Sequence, residues 1–282
     1  MKKLYISDLD GTLLTSKTTL SKKSREGLQE LLAEGMPFTV NTLRSLMSIK
    51  PLLSGLPLTI PVIGLNGALI LDYATGEKLR IFDIDQTKQE ELAVFFENQK
   101  LYPSYFSLDG DEKLSFGKLA NAGIESSYRE RIQAKDKRLC RYTSPHEVVG
   151  GSWIGITVID VPHKIRDAAE ELNSRFGAYI NTSVTESLET PPGYLWLTVS
   201  SVRASKKFAI EALKKDFGYK DYTIVAFGDQ PSDIPMFEAS DISIAVENAH
   251  PAVKECADKI IGHHNDDAVI KYLKADWKRQ SR

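Results

Sequence analysis

The stretch LYISDLDGTLL, residues 4–14, sets two carboxylates, Asp8 and Asp10, inside an otherwise apolar run. Three readings compete for it. Asp10-Gly11 between apolar residues is a hairpin signal, because glycine takes positive φ at no steric cost. Asp-x-Asp also opens calcium loops. The third reading puts both acids at the carboxyl end of a buried strand, where open α/β sheets build their sites. The calcium reading fails on spacing. Counted from Asp8, the sixth position is Leu13 where the loop needs glycine, and the twelfth is Thr19 where it needs glutamate. The other two readings are separated only by the rest of the chain.

Working outward, strand and helix alternate. KKLYIS (residues 2–7) is a short strand. A helix follows, capped by Ser21, with Leu28, Leu31 and Leu32 on one face and Gly35 as its stop. PFTVN is a second strand, residues 45–53 read as a helix, and IPVIGLNGALIL is a third strand ending at a turn around Asn66-Gly67. This βαβαβ order implies parallel strands with right-handed crossovers. Beyond Asp83 the texture changes to hairpin signals mixed with helices. YPSYFSLDGDEKLSFG reads as two strands about an Asp-Gly turn, SWIGITVIDV as a strand, HKIRDAAEELNSRFG as a helix, and AYINTSVTESLET and GYLWLTVSS as strands. The tail returns to the first pattern: a helix capped by Ser205, the buried strand YTIVAFGD, then DISIAV and a last helix. The expected architecture is a Rossmann-like, doubly wound parallel sheet, residues 1–83 and 199–282, split by an inserted α+β domain at residues 84–198.

The bulk numbers set limits. At 282 residues the length suits two domains, and a 42% apolar content suits a sizeable core. Thirty-six basic against 38 acidic residues leave a formal charge of −2, no global field for nucleic acid or an anionic membrane. The two cysteines, Cys140 and Cys256, read as reduced thiols. The apolar run after Lys3 is too short for a signal peptide, and no stretch approaches the ~20 apolar residues of a membrane span. The expectation is a soluble cytoplasmic protein; oligomeric state is silent.

The acids recur. The tail strand stops at Asp229, and Asp233 follows in GDQPSD. If both strands are central in one parallel sheet, four acids crowd one crevice, and like charges that close need a compensating cation. A hard divalent ion, Mg2+, is the natural candidate because it takes few carboxylates and fills its shell with water and phosphate oxygens. Thr42, just past the second strand, and Lys206, at a helix start, add a hydroxyl and an ammonium suited to a phosphoryl group.

DLDGTLL, a Thr after the second strand, a Lys, and GDxxxD, in that order, resemble the haloacid dehalogenase superfamily over about residues 1–82 and 200–275. NGA at residues 66–68 and NA at residues 248–249 resemble its Cof-type phosphatases, whose large α/β cap is inserted after the Thr motif. The resemblance implies a Mg2+-dependent phosphomonoesterase for a small phosphorylated metabolite: a sugar phosphate, a nucleotide or a phosphorylated cofactor. Its cap is expected to close over the substrate, exclude water and select the leaving group. Asp8 matches the nucleophile that forms an aspartyl-phosphate, and Asp10 the general acid and base. The two-residue step points both side chains one way along an extended backbone. Asp8, Asp229, Asp233 and the Asp10 backbone carbonyl match the metal site. Thr42 and Lys206 match the phosphate-facing hydroxyl and ammonium. Leu9 and Leu43, through backbone N–H groups, with Arg44 and Asn66, are the expected substrate contacts. The chain departs from the pattern at Leu43, where glycine is usual, and at Ser232, where asparagine is usual. Lys207 stands where glycine often follows the lysine, so either lysine can face the phosphate.

Other readings stay open on sequence alone. A phosphotransferase or mutase uses the same intermediate, and a weak phosphometabolite-binding relative fits the two departures. A signalling receiver domain also gathers acids, a hydroxyl and a Lys, but its acceptor Asp follows the third strand, which here ends in GLNGA. HHNDD at residues 263–267 resembles a metal cluster. Adjacent residues on an extended chain face opposite ways, so Asn265 or Asp266 is read as the N-cap of the last helix.

Overall fold

The computed structural model describes residues 2–186 and 190–280. The chain divides into two compact units, Met1–Ile81 with Ala204–Arg282, and Phe82–Arg203. The first unit opens with β1 (Lys3–Ser7), α1 (Lys22–Ala33), β2 (Phe38–Val40), α2 (Leu46–Leu53) and β3 (Val62–Gly64), and then β4 (Leu69–Leu71) and β5 (Lys78–Ile81). The helix starts follow their caps. Ser21 accepts from the Ser24 N–H at 2.9 Å, filling one orphan donor of α1.

The stretch IPVIGLNGALIL is two strands, not one. β3 and β4 pair antiparallel, with Gly64 opposite Leu69. Between them Leu65 and Asn66 sit in the left-handed region (φ 52° and 57°) and Gly67 at φ 92°. The turn falls at the Asn66-Gly67 pair that the sequence marks; the antiparallel return of Leu69–Leu71 is what the sequence left unread. Gly67 also allows close packing: a Cβ there would lie 2.1 Å from the Ser205 carbonyl oxygen.

The second unit contains α3 (Gln86–Asn98), β6 (Ser104–Ser107), β7 (Lys113–Phe116), α4 (Ala122–Gln133), β8 (Leu139–Arg141), β9 (Trp153–Asp160), α5 (Pro162–Phe176), β10 (Ile180–Thr185) and β11 (Leu195–Ser201). Its sheet runs β10-β11-β9-β6-β7-β8, antiparallel except between β7 and β8. Alternation along the strands divides the apolar side chains between two faces. Phe95 and Phe96 of α3 and Leu172 and Phe176 of α5 pack with Trp153, Ile156 and Leu197. Ile124 and Tyr128 of α4 pack with Phe116 and Ile159. Residues 187–189 of the stretch read as a strand lie outside the described residues.

The chain returns to the first unit with α6 (Lys206–Asp216), β12 (Thr223–Gly228), α7 (Ile234–Glu238), β13 (Ile242–Ala245), α8 (Pro251–Cys256), β14 (Lys259–Ile260) and α9 (Ala268–Gln280). Its main sheet has the order β14-β13-β12-β1-β2, all parallel, and a parallel bridge from Asn41 to Ile63 adds β3 beside β2. β1 is therefore central and buried, and the hairpin reading of Asp10-Gly11 falls, because β1 has parallel partners on both sides. Residues Leu9–Leu13 form one wide turn closed by the Leu14 N–H on the Leu9 carbonyl, 2.8 Å.

The HHNDD stretch does not cap α9 through Asn265 or Asp266. His263 accepts from the Asn265 N–H, and Asp267 closes the turn at φ 56°. Asn265 accepts from the Ser16 N–H at 2.9 Å, His264 Nδ1 lies 2.7 Å from the Leu14 carbonyl, and Asp267 accepts from the Ser24 hydroxyl at 2.8 Å. These polar side chains pin the turn after β1 and the start of α1, a long-range use that local capping rules do not foresee. Both cysteines are free thiols. No helix among the described residues is long and apolar enough to cross a membrane.

Candidate active site

Register brings the acids together. Ser7 pairs with Phe227 across β1 and β12, so Asp8 and Asp229 leave adjacent strands within a residue of each other. The Asp8 N–H donates to the Phe227 carbonyl at 2.9 Å, and the Asn41 N–H to the Ser7 carbonyl at 3.0 Å. The carboxyl ends of β12, β1 and β2 thus meet at one edge, where open α/β sheets leave their crevice.

Carboxylate oxygens of Asp8, Asp229 and Asp233 lie within 4.8 Å of one another, all three buried. Lys206, the first residue of α6, stands between two of them, its Nζ 2.6 Å from Asp8 Oδ1 and 2.5 Å from Asp233 Oδ1. The Ser205 hydroxyl caps that helix, and the Asn41 side chain donates to the Lys206 carbonyl at 3.1 Å. Lys207 points elsewhere, to Glu238 at 3.2 Å on the surface. Lys206 is therefore the lysine in the cluster.

The other oxygens are largely spoken for. Asp233 Oδ2 accepts from the N–H groups of Asp229 and Gln230, both at 2.9 Å. Asp229 accepts from the Thr12 hydroxyl at 2.7 Å and the Gln230 amide at 2.8 Å. Gly11, at φ 78°, admits this approach, since a Cβ there would lie 2.4 Å from Asp229 Oδ2. Among the described residues, no hydrogen bond reaches Asp8 Oδ2, which leaves it the unengaged oxygen of the trio.

Burial dominates the electrostatics. It pushes the Asp8 carboxyl up to about 7; Lys206 opposes the rise, and the neighbouring Asp233 and Asp229 add to it. Burial also raises Asp229, against the Thr12 and Gln230 hydrogen bonds. Burial pulls the Lys206 ammonium down, but Asp8 and Asp233 together carry it above its ordinary value. The direction for Asp8 is that of a carboxylate taken out of water, with one ammonium opposing the rise and two neighbouring acids adding to it. Three buried acids gathered about one ammonium have the chemistry to hold a hard divalent cation. They form the one such grouping of acids, histidines and cysteines among the described residues.

The remaining expected residues lie around this cluster. Thr42 is buried, its N–H on the Ile63 carbonyl at 3.1 Å, and its hydroxyl accepts from the Arg44 N–H at 3.3 Å. Asn66 donates its N–H to the Thr42 carbonyl at 2.9 Å, and its buried Oδ1 has no partner among the described residues. The Leu9 side chain is in the core, and that of Leu43 is 60% exposed. Asp10 stands outside the carboxylate trio. Its two oxygens accept from Arg44 Nε and Nη2, both at 2.6 Å. Sequence reasoning gave Arg44 to the substrate and did not foresee this pair. Nor did it foresee Thr12 and Gln230 on Asp229 or Asn41 on Lys206. Thr12 was signalled only by its place two residues beyond Asp10, and Asn41 by nothing local.

A parallel sheet with buried carboxylates gathered at its carboxyl edge, and a mostly antiparallel sheet in a second unit, define a two-unit α/β protein with an acidic site. A model of the haloacid dehalogenase-like hydrolases matches residues 5–273, and the chain belongs to that family. It is 24% identical to the 5-amino-6-(5-phospho-D-ribitylamino)uracil phosphatase YwtE of Bacillus subtilis, over 94% of this chain and 95% of that protein. It is also 24% identical to the pyridoxal phosphate phosphatase YbhA of Escherichia coli, over 94% and 95%. The crystal structure of a Thermotoga maritima protein shares the fold at a TM-score of 0.76 and 24% identity, covering 98% of this chain and 97% of that one. The chain is thus an enzyme of a hydrolase family in which full-length relatives are phosphatases.

Proposed function

We propose that this chain is a Mg2+-dependent phosphomonoesterase working through an aspartyl-phosphate on Asp8. The observation that carries the reading is the unengaged Asp8 Oδ2 in a buried acid cluster whose other Asp8 oxygen is held by Lys206. In the first half, Oδ2 attacks phosphorus as the bond to the leaving oxygen breaks, and that oxygen takes a proton from Asp10. In the second half, Asp10 takes a proton from the water that attacks the aspartyl-phosphate, releasing inorganic phosphate and restoring Asp8. Lys206 offsets charge on Asp8 and the phosphoryl oxygens, and the Thr42 hydroxyl donates to one of those oxygens. Asp8, Asp229, Asp233 and the Asp10 carbonyl would hold the magnesium ion, which supplies positive charge against the developing phosphoryl oxygens. Backbone N–H groups at Leu9 and Leu43 and the Asn66 amide complete the proposed phosphate pocket.

The substrate is a small phosphorylated metabolite. Relatives named for a phosphoribitylaminouracil and for pyridoxal phosphate support that class and leave its members open. The residues 84–198 proposed as a cap carry the choice among them. The test is hydrolysis of p-nitrophenyl phosphate with magnesium and with chelator. Turnover that needs the ion and disappears in Asp8→Asn is expected; metal-independent turnover, or activity kept in Asp8→Asn, overturns the reading. A panel of phosphomonoesters then ranks substrates.

A further inference from the structure

The expected role of Arg44 was to meet the substrate, yet its guanidinium is committed to Asp10. Nε and Nη2 donate to Oδ2 and Oδ1 at 2.6 Å each, one bond to each carboxylate oxygen. Such a fork fixes the orientation of a carboxylate as well as its position, which a single ammonium cannot do. Among the described residues no other donor reaches either oxygen of Asp10. The turn fixes where Asp10 leaves the backbone, but its extended angles (φ −76°, ψ 121°) do not by themselves set the side-chain rotamer. The side chain is 44% exposed, so packing does not choose its rotamer. Arg44, in contrast, is anchored. Its carbonyl accepts from the Leu65 N–H at 3.0 Å, and its N–H donates to the Thr42 hydroxyl at 3.3 Å.

We propose that Arg44 is the positioning residue for Asp10, aiming its carboxyl at the oxygen that must gain and lose a proton. The inference rests on the acid–base role given to Asp10 above. The fork leaves room for that role. A carboxylate offers about four lone-pair sites, and the guanidinium uses one on each oxygen, so one on each stays open to a proton partner. The loop that brings the Thr42 hydroxyl to the site thereby also orients the acid–base group, coupling phosphate binding to proton transfer through three consecutive residues, Thr42, Leu43 and Arg44.

The test uses the magnesium-loaded full chain and a series of aryl phosphates of rising leaving-group pKa, with Arg44→Ala, Arg44→Lys and Asp10→Asn. Loss of orientation is expected to lower kcat and kcat/KM together by about 10- to 100-fold, with KM nearly unchanged. The deficit should grow with leaving-group pKa, because poor leaving groups depend most on the proton. The slope of log kcat/KM should steepen toward that of Asp10→Asn, and adding Arg44→Ala to Asp10→Asn should cost little more. Arg44→Lys keeps the charge but not the fork, and should stay steep. Circular dichroism and melting confirm that the variants fold. A raised KM at unchanged kcat, restored by lysine, would mark Arg44 as a substrate contact and overturn the inference while leaving the acid–base reading intact. An unchanged slope in Asp10→Asn would overturn that reading and this inference with it.

Discussion

Asp8→Asn should separate activity from stability in an unusual direction. Burial, reinforced by Asp233 and Asp229, carries the Asp8 carboxyl from its ordinary 3.8 to about 7 in the folded protein. A carboxyl raised on folding lends stability that is fully present below about pH 3.8 and lost as pH rises through about 7. At about 1.4 kcal/mol per pH unit, the loss by pH 8 is of order 4 kcal/mol, and by pH 5 it is under about 2 kcal/mol. Asparagine has the same shape and does not ionise, so the variant escapes that loss. In chelator at pH 8, Asp8→Asn should therefore melt above the parent by roughly 10 °C, at about 2–4 °C per kcal/mol for a chain of this size. At pH 5 the gap should shrink. Magnesium should reverse the order, because the parent carboxylate gains a cation and the amide does not. Turnover should be absent throughout. The assay is a thermal melt at both pH values, with chelator and with magnesium. A variant that melts below the parent at pH 8 in chelator would mean that Lys206 attraction outweighs burial, and the reasoning would fail.

Three further outcomes follow from the same geometry. Lys206→Met strands Asp8 and Asp233 without their shared ammonium, and should cost about 3–5 kcal/mol in urea unfolding at pH 8, with a kcat loss of about 100-fold or more; a stable, active variant refutes the buried pairing. Gly11→Ala forces a Cβ toward Asp229 at a φ of 78°, so about 1–2 kcal/mol of stability should be lost and the magnesium concentration for half-maximal activity should rise; an unchanged titration would show that Gly11 is free to move. Tyr105→Phe removes a buried hydroxyl that has no partner among the described residues, and should leave the melting temperature equal or higher, where a fall of several degrees would reveal a hidden hydrogen bond.

The sheet and its helices were legible where local physics decides. Short apolar strands, Ser21 and Ser205 as caps, and the Asp109-Gly110 turn each act within a few residues, and the structure carries β1, α1, α6, β12 and the β6–β7 hairpin where those signals put them. The misreadings have the opposite character. The stretch at residues 60–71 marks its turn at Asn66-Gly67, but not that Leu69–Leu71 folds back on Val62–Gly64, because strand pairing is set by contacts that the local pattern does not carry. α4 was unread because its sequence, AGIESSYRERIQ, carries few apolar residues; Tyr194 and Ile159 crowd its Gly123 from elsewhere in the chain.

The candidate site divides along the same line. Sequence by itself determined that Asp8 and Asp10 share a strand end two residues apart, that a second strand ends in Asp229, and that a lysine opens the helix before it. Those are periodicities and spacings, carried by the backbone alone. Tertiary structure decided which groups meet. Lys206 reaches Asp8 across 198 positions and Thr12 reaches Asp229 across 217, because β1 and β12 lie side by side in a parallel sheet. It also decided that Lys206 and not Lys207 is buried with the acids, and that Arg44 turns to Asp10. A charge in a sequence has no direction; only packing sets its distance, its burial and its partner, and electrostatic strength depends on all three.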